Sequence, residues 1–398
     1  MKKLDKNKIK NKKIIYRADL NVPVLNGKIT DYSRIDSIGP TLHELIRNKN
    51  KIFIVTHLGR PGGTVNKELS IKFLCEVLKI QLDISRIHFL ETFNSKEIKN
   101  KQIEMNYGEV CLFENIRFYQ EEENNEINFS KKLSSNFEVY INDAFSSSHR
   151  SHSSIVGIPK FIPSFAGYNF TQEITNLNYF LEETKKPNLA IIGGSKVSTK
   201  IKVLNNLIRL FDSIVIGGAM ANTFLLAKKI KIGKSLCETE YINIAQDILT
   251  KAEKENCKII LPIDVVCATS LEDKNTVATC NIEQIPSDKM VLDIGLKTIN
   301  LIINQITVSK SVIWNGPLGV FEHKPFDYSS IKIANQIKYS VNNNNIKSLA
   351  GGGDTLSAIN LANARNGFTY LSTAGGAFLE WLEGNKSPGY MALKNSKN

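Results

Sequence analysis

Short apolar runs rich in β-branched residues recur along the chain, and each is followed by a polar or glycine-bearing turn and then by a helical pattern. Such runs predict buried strands, and their alternation with helices predicts parallel sheets with helices on both faces. Strands with their following loops are predicted over 13–21, 51–60, 110–118, 139–145, 189–196, 213–221, 258–266, 311–319, 348–355 and 369–376. Helices are predicted over segments that include 199–211 and 241–255.

One stretch breaks this alternation. After a loop at 158–170, residues 171–186 carry the pattern of a single amphipathic helix, and Pro187 restarts the strands. A lone helix between two α/β series is typical of a connector between domains. Since 398 residues are too many for one ordinary core, we expect two Rossmann-like domains with parallel sheets and flanking helices, joined by this helix.

Composition narrows the class of protein. With 42% hydrophobic and 23% charged residues, the chain is typical of a soluble globular protein, and no apolar run is long enough to cross a bilayer. The basic N-terminus lacks the apolar segment of a secretory signal. The six cysteines are scattered without CxxC pairs, which predicts reduced thiols and a cytoplasmic location.

The net charge of +12 admits nucleic acid, a membrane surface or small anions as partners. Most of the excess is lysine in Asn/Lys-rich stretches, which we interpret as solvated surface. The arginines carry more information because several stand within motifs. In the first half, basic and polar residues cluster at or just beyond predicted strand ends: Arg17, Asp19, Asn21, His57, Arg60, Arg117, His149, Arg150 and His152, with Arg34 at the start of the next helical stretch.

The carboxyl ends of parallel strands meet at one edge of a sheet, where ligands bind. Any single arginine there is more often a surface residue, but several at equivalent strand ends predict one crevice for a carboxylate or phosphate. The second half places glycines at the same positions, at 193–194, 217–218, 316, 351–353 and 375–376. Each pair alone is best explained as a tight turn, whereas GGGDT adds Asp354, which could hold a metal ion on phosphates.

Two short motifs resemble sites for other chemistry, but the residues around them do not complete those sites. IGKS at 232–235 ends like a Walker A loop, but residue 228 is Lys where the first glycine is needed, and no strand leads into it. His149 and His152 could suggest zinc, yet no nearby cysteine or carboxylate pair completes a coordination set, so a zinc site is a minor alternative.

An arginine-rich domain and a glycine-rich domain together predict phosphoryl transfer between an anionic substrate and a nucleotide. Lys196 and Lys200 fall on one side of a helix's first turns and could neutralise a transferring phosphoryl group. No carboxylate stands out as a general base, which fits a substrate whose nucleophile is itself a carboxylate. Two alternatives stay open: a nucleic-acid-binding protein without enzymatic activity, and a kinase acting on a different acyl phosphate. Against the first, the basic groups lie beside glycine loops rather than on an aromatic-studded face or a basic helix.

The motifs taken together resemble the phosphoglycerate kinase family over nearly the whole chain and in the family's order. The blocks that carry the resemblance are RADLNVP, THLGRP, LFENIRF, NDAFSSSHRSHSS, GGSKVSTK, GGAMANTF, WNGPLGVFE, GGGDT and STAGGA. The resemblance implies a two-domain kinase that moves a phosphoryl group reversibly between 1,3-bisphosphoglycerate and ADP, giving 3-phosphoglycerate and ATP in glycolysis. It also implies Mg²⁺ as cofactor, a monomer, and no nucleic-acid or membrane partner.

The resemblance implies domain roles. It assigns 1–170 to phosphoglycerate binding, 171–186 to the connector helix and 187–379 to nucleotide binding, with the tail at about 380–398 packed back on the first domain.

The resemblance also implies a role for individual residues. The phosphoglycerate ligands would be Asp19, Leu20, Asn21, Arg34, His57, Leu58, Gly59, Arg60, Arg117 and Arg150, with Arg17, His149 and His152 completing a basic patch. The nucleotide ligands would be Lys196, Lys200, Glu322, Gly352, Gly353, Asp354 and Thr355, with Asp354 at the magnesium. For the transfer itself we assign Arg34 and Lys200 to the moving group, assisted by backbone N–H groups near Gly375.

Some positions depart from the family pattern. Ala374 and Ala219 stand where glycine is usual, Leu296 replaces a frequent proline, and Ser147-Ser148 stand where Gly-Thr is common. None of these changes removes a charged ligand. A methyl group at Ala374 would crowd the backbone near the phosphoryl path if its φ were positive, so nucleotide affinity is the property we expect these changes to alter.

Overall fold

A computed structural model describes residues 1–5 and 9–396. The chain folds into two compact units, Met1–Thr175 with Lys386–Asn398 and Asn176–Asn385. The boundary falls within a helix, and each unit has a parallel sheet of its own. The functional roles assigned above to 1–170, 171–186 and 187–379 stay predictions.

Among residues 1–5 and 9–167, the first unit contains eight strands and five α-helices. The strands are β1 (Lys13–Arg17), β2 (Val24–Leu25), β3 (Lys28–Ile29), β4 (Lys51–Val55), β5 (Ile87–Leu90), β6 (Val110–Phe113), β7 (Val139–Asn142) and β8 (Ser164–Ala166). The helices are α1 (Ser33–Arg47), α2 (Leu74–Gln81), α3 (Ser95–Glu104), α4 (Gln120–Glu123) and α5 (Ile127–Ser134). Six strands form one parallel sheet in the order β5-β6-β4-β1-β7-β8, and β2 and β3 form a hairpin.

Strand β1 lies at the point of this sheet where the strand order reverses, between β4 and β7. Its central residues Ile14, Ile15 and Tyr16 are fully buried, as expected for a strand covered on both faces. The loops after β1, β4 and β7 therefore leave the sheet side by side at its carboxyl edge, which is the usual ligand position in open α/β sheets.

The segment predicted as one helix over 171–186 has a different form. Helix α6 covers Tyr168–Asn178, and a π-helical turn follows over Tyr179–Glu183. The helix therefore begins earlier than its apolar pattern indicates, because the backbone N–H of Phe170 in its first turn donates to the buried carboxylate of Asp143 at 2.8 Å.

The second unit repeats the plan. Its strands are β9 (Asn188–Ile192), β10 (Ser213–Ile216), β11 (Lys258–Ile260), β12 (Asp264–Ala268), β13 (Ala278–Asn281), β14 (Met290–Ile294), β15 (Ser311–Asn315), β16 (Lys347–Gly351) and β17 (Tyr370–Ser372). Its helices are α7 (Ile201–Leu210), α8 (Met220–Ala227), α9 (Ile242–Lys254), α10 (Leu296–Val308), α11 (Tyr328–Asn344), α12 (Gly353–Leu361) and α13 (Gly376–Leu382). A last helix, α14 (Pro388–Lys394), belongs to the first unit, where the Gly389 N–H donates to the Ser148 carbonyl at 2.8 Å.

The second parallel sheet has the order β11-β10-β9-β15-β16-β17, so the loops after β9, β10 and β15 meet at its carboxyl edge. The α/β class with parallel sheets and flanking helices is confirmed, and the two predicted helices are present as α7 and α9. One strand prediction is wrong: 258–266 is two strands, because Pro262 lacks the N–H needed to continue a ladder. After it, β12 joins β13 and β14 in a small antiparallel sheet.

Candidate active site

The end of β1 buries an arginine next to a histidine. Arg17 is 1% exposed, and its guanidinium donates from Nε to Ser154 Oγ at 2.9 Å and lies with Nη2 3.1 Å from His57 Nδ1. Since a guanidinium only donates, Nδ1 accepts and the ring proton of a neutral His57 is on Nε2. Burial, and then the charge of Arg17, lowers the pKa of His57 well below its ordinary value, which keeps the imidazole neutral.

Asp19, two residues beyond β1, ties the start of α1 to the loop after β7. Its carboxylate accepts hydrogen bonds from Arg34 Nη1 and from the Ser146 hydroxyl, and the Asn21 N–H donates to it at 3.2 Å. Burial alone would raise the pKa of Asp19, but the charge of Arg34, together with the hydrogen bonds from Ser146 and the Asn21 N–H, outweighs burial and holds that pKa well below its usual range. Asp19 is therefore an ionised group that orients Arg34.

The loops after β1 and β4 are held together by hydrogen bonds from the backbone of each loop to a side chain of the other. The N–H of Leu20 donates to Thr56 Oγ1 at 3.0 Å, and the N–H of Gly59 donates to Asn21 Oδ1 at 2.9 Å. The Gly59 carbonyl in turn accepts from Arg117 Nη1 at 2.8 Å. These bonds bring residues from three strand ends to one place, as their positions after parallel strands predict.

Asn115 fixes the loop after β6. Its amide donates to the Leu58 carbonyl at 2.8 Å, and its oxygen accepts from the backbone N–H of Arg117 at 3.1 Å. Arg117 is 7% exposed, and burial, together with the charge of Arg17, lowers its pKa to about 10. Its guanidinium is thus still charged at neutral pH.

The loop after β7 presents its charges differently. Arg150 and, from the β4 loop, Arg60 are exposed, whereas His149 and His152 are partly buried. Burial, and then Arg117 and Arg17, lowers the pKa of His152 to about 4, and its Nδ1 lies 3.8 Å from the buried carboxylate of Glu122. His152 is therefore a neutral member of the patch, while Arg60 and Arg150 extend the positive charge to its surface.

In the second unit, glycine-rich loops enclose a cavity of about 290 Å³. Its lining includes Gly194 from the β9 loop, Gly218 and Ala219 from the β10 loop, and the exposed Glu322 and Asp354. Gly218 has φ +67°, and a Cβ there would lie 2.5 Å from the Gly194 carbonyl oxygen. Glycine is required at this crossing because the two backbones touch.

Lys200 lies at the start of α7, is 9% exposed, and donates a hydrogen bond to the side-chain oxygen of Asn315 at the end of β15. Burial lowers its pKa to about 8, although Asp354 and Glu383 act in the opposite direction. Lys196 is exposed and precedes α7, so the prediction that both lysines lie in the first turns of a helix is wrong.

The β16 loop forms a second backbone cradle. Gly352 has φ +100° at the N-cap of α12, and Thr355 Oγ1 accepts from the Gly316 N–H at 2.7 Å. Gly353 faces open space, with nothing within 4 Å of an added Cβ. Gly375 has φ +52° at the N-cap of α13, with similarly open surroundings. Free N–H groups at such helix starts are suited to phosphate oxygens.

Comparison with known proteins assigns the chain to a protein family. The family profile described as "Phosphoglycerate kinase" matches residues 4–385. The chain belongs to the phosphoglycerate kinase family. It is 42% identical over 391 residues to the phosphoglycerate kinase of Brucella abortus biovar 1, covering 98% of each chain, and 42% identical over 390 residues to that of Rhizobium meliloti, again covering 98% of each.

Solved structures agree. The phosphoglycerate kinase of Coxiella burnetii matches with a TM-score of 0.89 and 35% identity, covering 98% of this chain and 97% of the other. That of Pyrococcus horikoshii matches with a TM-score of 0.83 and 28% identity, covering 99% and 98%. The chain is therefore a phosphotransferase of the phosphoglycerate kinase type, with small-molecule substrates, as predicted.

The departures from the phosphoglycerate kinase pattern are accommodated by the backbone. Ala374 is not among the described residues with positive φ, and Ala219 has φ −64°, so neither methyl group strains its turn. Leu296 is 56% exposed at the first position of α10, where proline is tolerated but not required. Ser147 and Ser148 are buried in the loop after β7.

Several residues of the site were missed by the sequence prediction. Asn315 stands within WNGPLG and Ser146 within a run of serines, with no local sign of a role, yet each contacts a predicted ligand. Glu122 and Ser154 lie beneath the patch without any local signal of that position.

The next question is whether the carboxylates of the second unit fit a magnesium ion. Among residues 1–5 and 9–396, no group of three His, Cys, Asp or Glu side chains is placed to hold a metal ion. Asp354 stands exposed in the first turn of α12. A single exposed carboxylate beside a backbone cradle fits Mg²⁺, which commonly takes one or two carboxylates and completes its shell with phosphates and water. In the same described ranges, no helix meets the length and apolarity of a membrane span.

Proposed function

We propose that the chain catalyses reversible phosphoryl transfer between 1,3-bisphosphoglycerate and ADP, giving 3-phosphoglycerate and ATP in glycolysis. The observation that carries this proposal is the pairing of two different anion-binding edges in one chain. One is built from Arg17 and Arg117 at or just beyond strand ends with Arg34 at the start of α1, and the other from backbone cradles next to Lys200. Family membership supplies the substrate class for both.

The first edge is suited to hold phosphoglycerate. Charged guanidinium groups bind carboxylate and phosphate oxygens bidentately, and neutral His57 can donate from Nε2. We assign Asp19 and Asn21 to shaping this edge and to holding substrate hydroxyl groups, while Leu20, Leu58 and Gly59 contribute backbone. Arg60 and Arg150, which are exposed, would add positive charge around the phosphate from the surface side of the edge.

The second edge is suited to hold the nucleotide. Gly352, Gly353 and Thr355 offer backbone and hydroxyl groups to the phosphates, Glu322 would accept hydrogen bonds from the ribose, and Lys196 would add charge from the rim. Asp354 would hold Mg²⁺ on the phosphates, where the metal supplies charge neutralisation.

The transfer needs little covalent chemistry from the protein. A carboxylate of 3-phosphoglycerate is already ionised at neutral pH, so direct in-line attack on the terminal phosphorus requires no general base. Arg34 and Lys200 would neutralise the equatorial oxygens, with N–H groups near Gly375 assisting. The role of the chain is then positioning and electrostatic stabilisation.

Ligands held on separate units must be brought together, so we propose closure about a hinge that includes α6 and the π-helical turn after it. Small-angle scattering of the free and the doubly liganded protein tests this: compaction supports closure, and unchanged dimensions contradict it. We also propose a cytoplasmic monomer, for which light scattering during gel filtration gives the mass directly.

The decisive measurement for function is a coupled assay with 3-phosphoglycerate and MgATP. Turnover that requires 3-phosphoglycerate supports the proposal. Turnover with acetate in its place would indicate another acyl-phosphate kinase, and no turnover, together with salt-dependent binding of nucleic acid, would favour a binding protein.

A further inference from the structure

A buried carboxylate lies beneath the first edge and has no role in the proposed chemistry. Glu122, on the short helix α4, is 0% exposed, and both of its oxygens contact Ser154. Oε2 accepts from the Ser154 N–H at 2.7 Å, and Oε1 accepts from the Ser154 hydroxyl at 2.5 Å. Since both oxygens accept hydrogen bonds, these contacts favour the ionised carboxylate. Burial raises the pKa of Glu122, and the charge of Arg17 opposes that rise.

Arg17 is the buried cation closest to this carboxylate along the hydrogen bonds. Within the described part of the chain, its guanidinium contacts only neutral groups, namely the Ser154 hydroxyl, the backbone carbonyls of Ala18 and Val55, and His57 Nδ1. A buried charge with no countercharge is costly. A single hydroxyl group links Arg17 to Glu122. Ser154 Oγ accepts a hydrogen bond from Arg17 Nε at 2.9 Å and donates one to Glu122 Oε1.

The chain of contacts continues to the ligand-facing edge. Arg17 Nη2 donates to His57 Nδ1 at 3.1 Å, which selects the tautomer whose remaining proton is on Nε2. If Arg17 moved, Nδ1 would lose its donor and both tautomers would become accessible. The position of Arg17 thus decides whether His57 is a fixed donor.

We infer that Glu122 is a positioning residue of the phosphoglycerate site, which holds Arg17 through the Ser154 hydroxyl and, through Arg17, fixes His57 in its Nε2–H tautomer. This inference rests on the proposed function, which assigns phosphoglycerate to this edge. It adds a second carboxylate, after Asp19, to the groups that orient the cations of this edge.

Two substitutions interrupt the chain in different ways. Glu122→Gln keeps the size of the side chain but removes the charge and turns an N–H₂ group toward one of the two Ser154 donors. Ser154→Ala keeps the charge and removes the hydroxyl link. For each we expect the KM for 3-phosphoglycerate to rise about 10- to 100-fold, the range for a lost hydrogen bond to a charged group, with the KM for MgATP unchanged within about twofold.

The matched control is Glu121→Gln, which removes a carboxylate one residue away on the same helix and should leave both KM values unchanged. The double variant Glu122→Gln/Ser154→Ala should be no worse than the more affected single variant, because both act on one chain of contacts. Imidazole ¹⁵N spectra should assign the Nε2–H tautomer to His57 in the wild-type protein and a mixture of tautomers in each variant.

An unchanged KM for 3-phosphoglycerate, equal increases for both substrates, or additive effects in the double variant would overturn the inference. Because Glu122→Gln could fold poorly, the same criteria apply to Ser154→Ala alone. His57→Ala and Arg117→Ala separate this inference from the proposed function. If they leave the KM for 3-phosphoglycerate unchanged, the site assignment fails; if they raise it and Glu122→Gln does not, only the positioning role fails.

Discussion

Lys200 donates a hydrogen bond to the side-chain oxygen of Asn315 at a position where only 9% of the lysine is exposed. Burial at this position disfavours the charged form of the lysine. Asn315 also donates to the Gly351 carbonyl at 2.7 Å, next to the backbone cradle of Gly352 and Thr355. A bound phosphate would stabilise the charged form. The stability and the activity of the protein should therefore respond to this lysine in opposite directions.

The pH dependence follows from the pKa of Lys200, which burial lowers from 10.5 to about 8. Below pH 8 both the folded and the unfolded chain hold the proton, so the cost of burying the charge is fully present. Between these two values the unfolded chain holds the extra proton, so the contribution of Lys200 to stability becomes more favourable as pH rises. The kcat/KM for MgATP should instead fall as pH rises through about 8 in the free enzyme.

Replacing the lysine separates the two effects. Lys200→Met should abolish most turnover and raise the free energy of unfolding at pH 7 by about 1–3 kcal/mol. The lowered pKa gives the gain, at about 1.4 kcal/mol for each pKa unit, and the loss of the donor to Asn315 reduces it. Urea unfolding measures the gain, and Lys202→Met, at an exposed position of the same helix, is the control. A loss of stability in Lys200→Met alone would contradict the expected cost of burial.

Arg34 is expected to act on the transferring group, and its ion pair with Asp19 shows how it is oriented. Arg34→Ala should lower kcat about 10²–10³-fold, the usual cost of one preorganised charged or hydrogen-bonding donor. Arg34→Lys should recover only part of this, because an ammonium group lacks the planar fork. Steady-state kinetics test the prediction, with Arg47→Ala at the exposed end of the same helix as control. Near-normal turnover of Arg34→Ala would refute the assignment.

How far the sequence alone could predict this fold depends on how local each signal is. Strands β1 and β4 are continuous apolar runs, so their burial in a parallel sheet was predictable. The edge strands β5 and β8 have only four and three residues, with partly buried side chains, and too little periodicity to be distinguished from loops. The antiparallel pairing of β12 with β13 and β14 depends on partners elsewhere in the chain, which no local pattern encodes.

The site shows the same limit. Arg17, Lys200 and Asp354 stand in motifs that indicate charge near strand ends, whereas their partners are defined only by folding. Asn315 is 115 residues from Lys200 in the sequence and Ser154 is 137 residues from Arg17. The sequence therefore suggests which side chains to assign to a ligand, but it does not indicate which side chains hold them in place.

Arg150 gives the cleanest test of substrate assignment, because it is exposed and its replacement should change stability by less than about 0.5 kcal/mol. Arg150→Ala should raise the KM for 3-phosphoglycerate and leave nucleotide affinity nearly unchanged. Titration calorimetry with 3-phosphoglycerate and with nucleotide, each added alone, measures the two affinities separately. Equal loss of affinity for both ligands, or none for 3-phosphoglycerate, would show that Arg150 does not serve the first edge.

The backbone cradle can be tested at two adjacent glycines whose surroundings differ. Gly352 has φ +100°, and a Cβ there would lie 2.7 Å from Asn315 Nδ2, whereas a Cβ on Gly353 meets nothing within 4 Å. Gly352→Ala should therefore lower the free energy of unfolding by about 1–3 kcal/mol, while Gly353→Ala should leave it within about 0.5 kcal/mol. Both should raise the KM for MgATP, because the open space at Gly353 is where phosphate oxygens would approach the N–H groups of α12. If Gly353→Ala bound nucleotide normally, the phosphates would have to lie elsewhere, since the added methyl group would stand in the open space that they are expected to occupy.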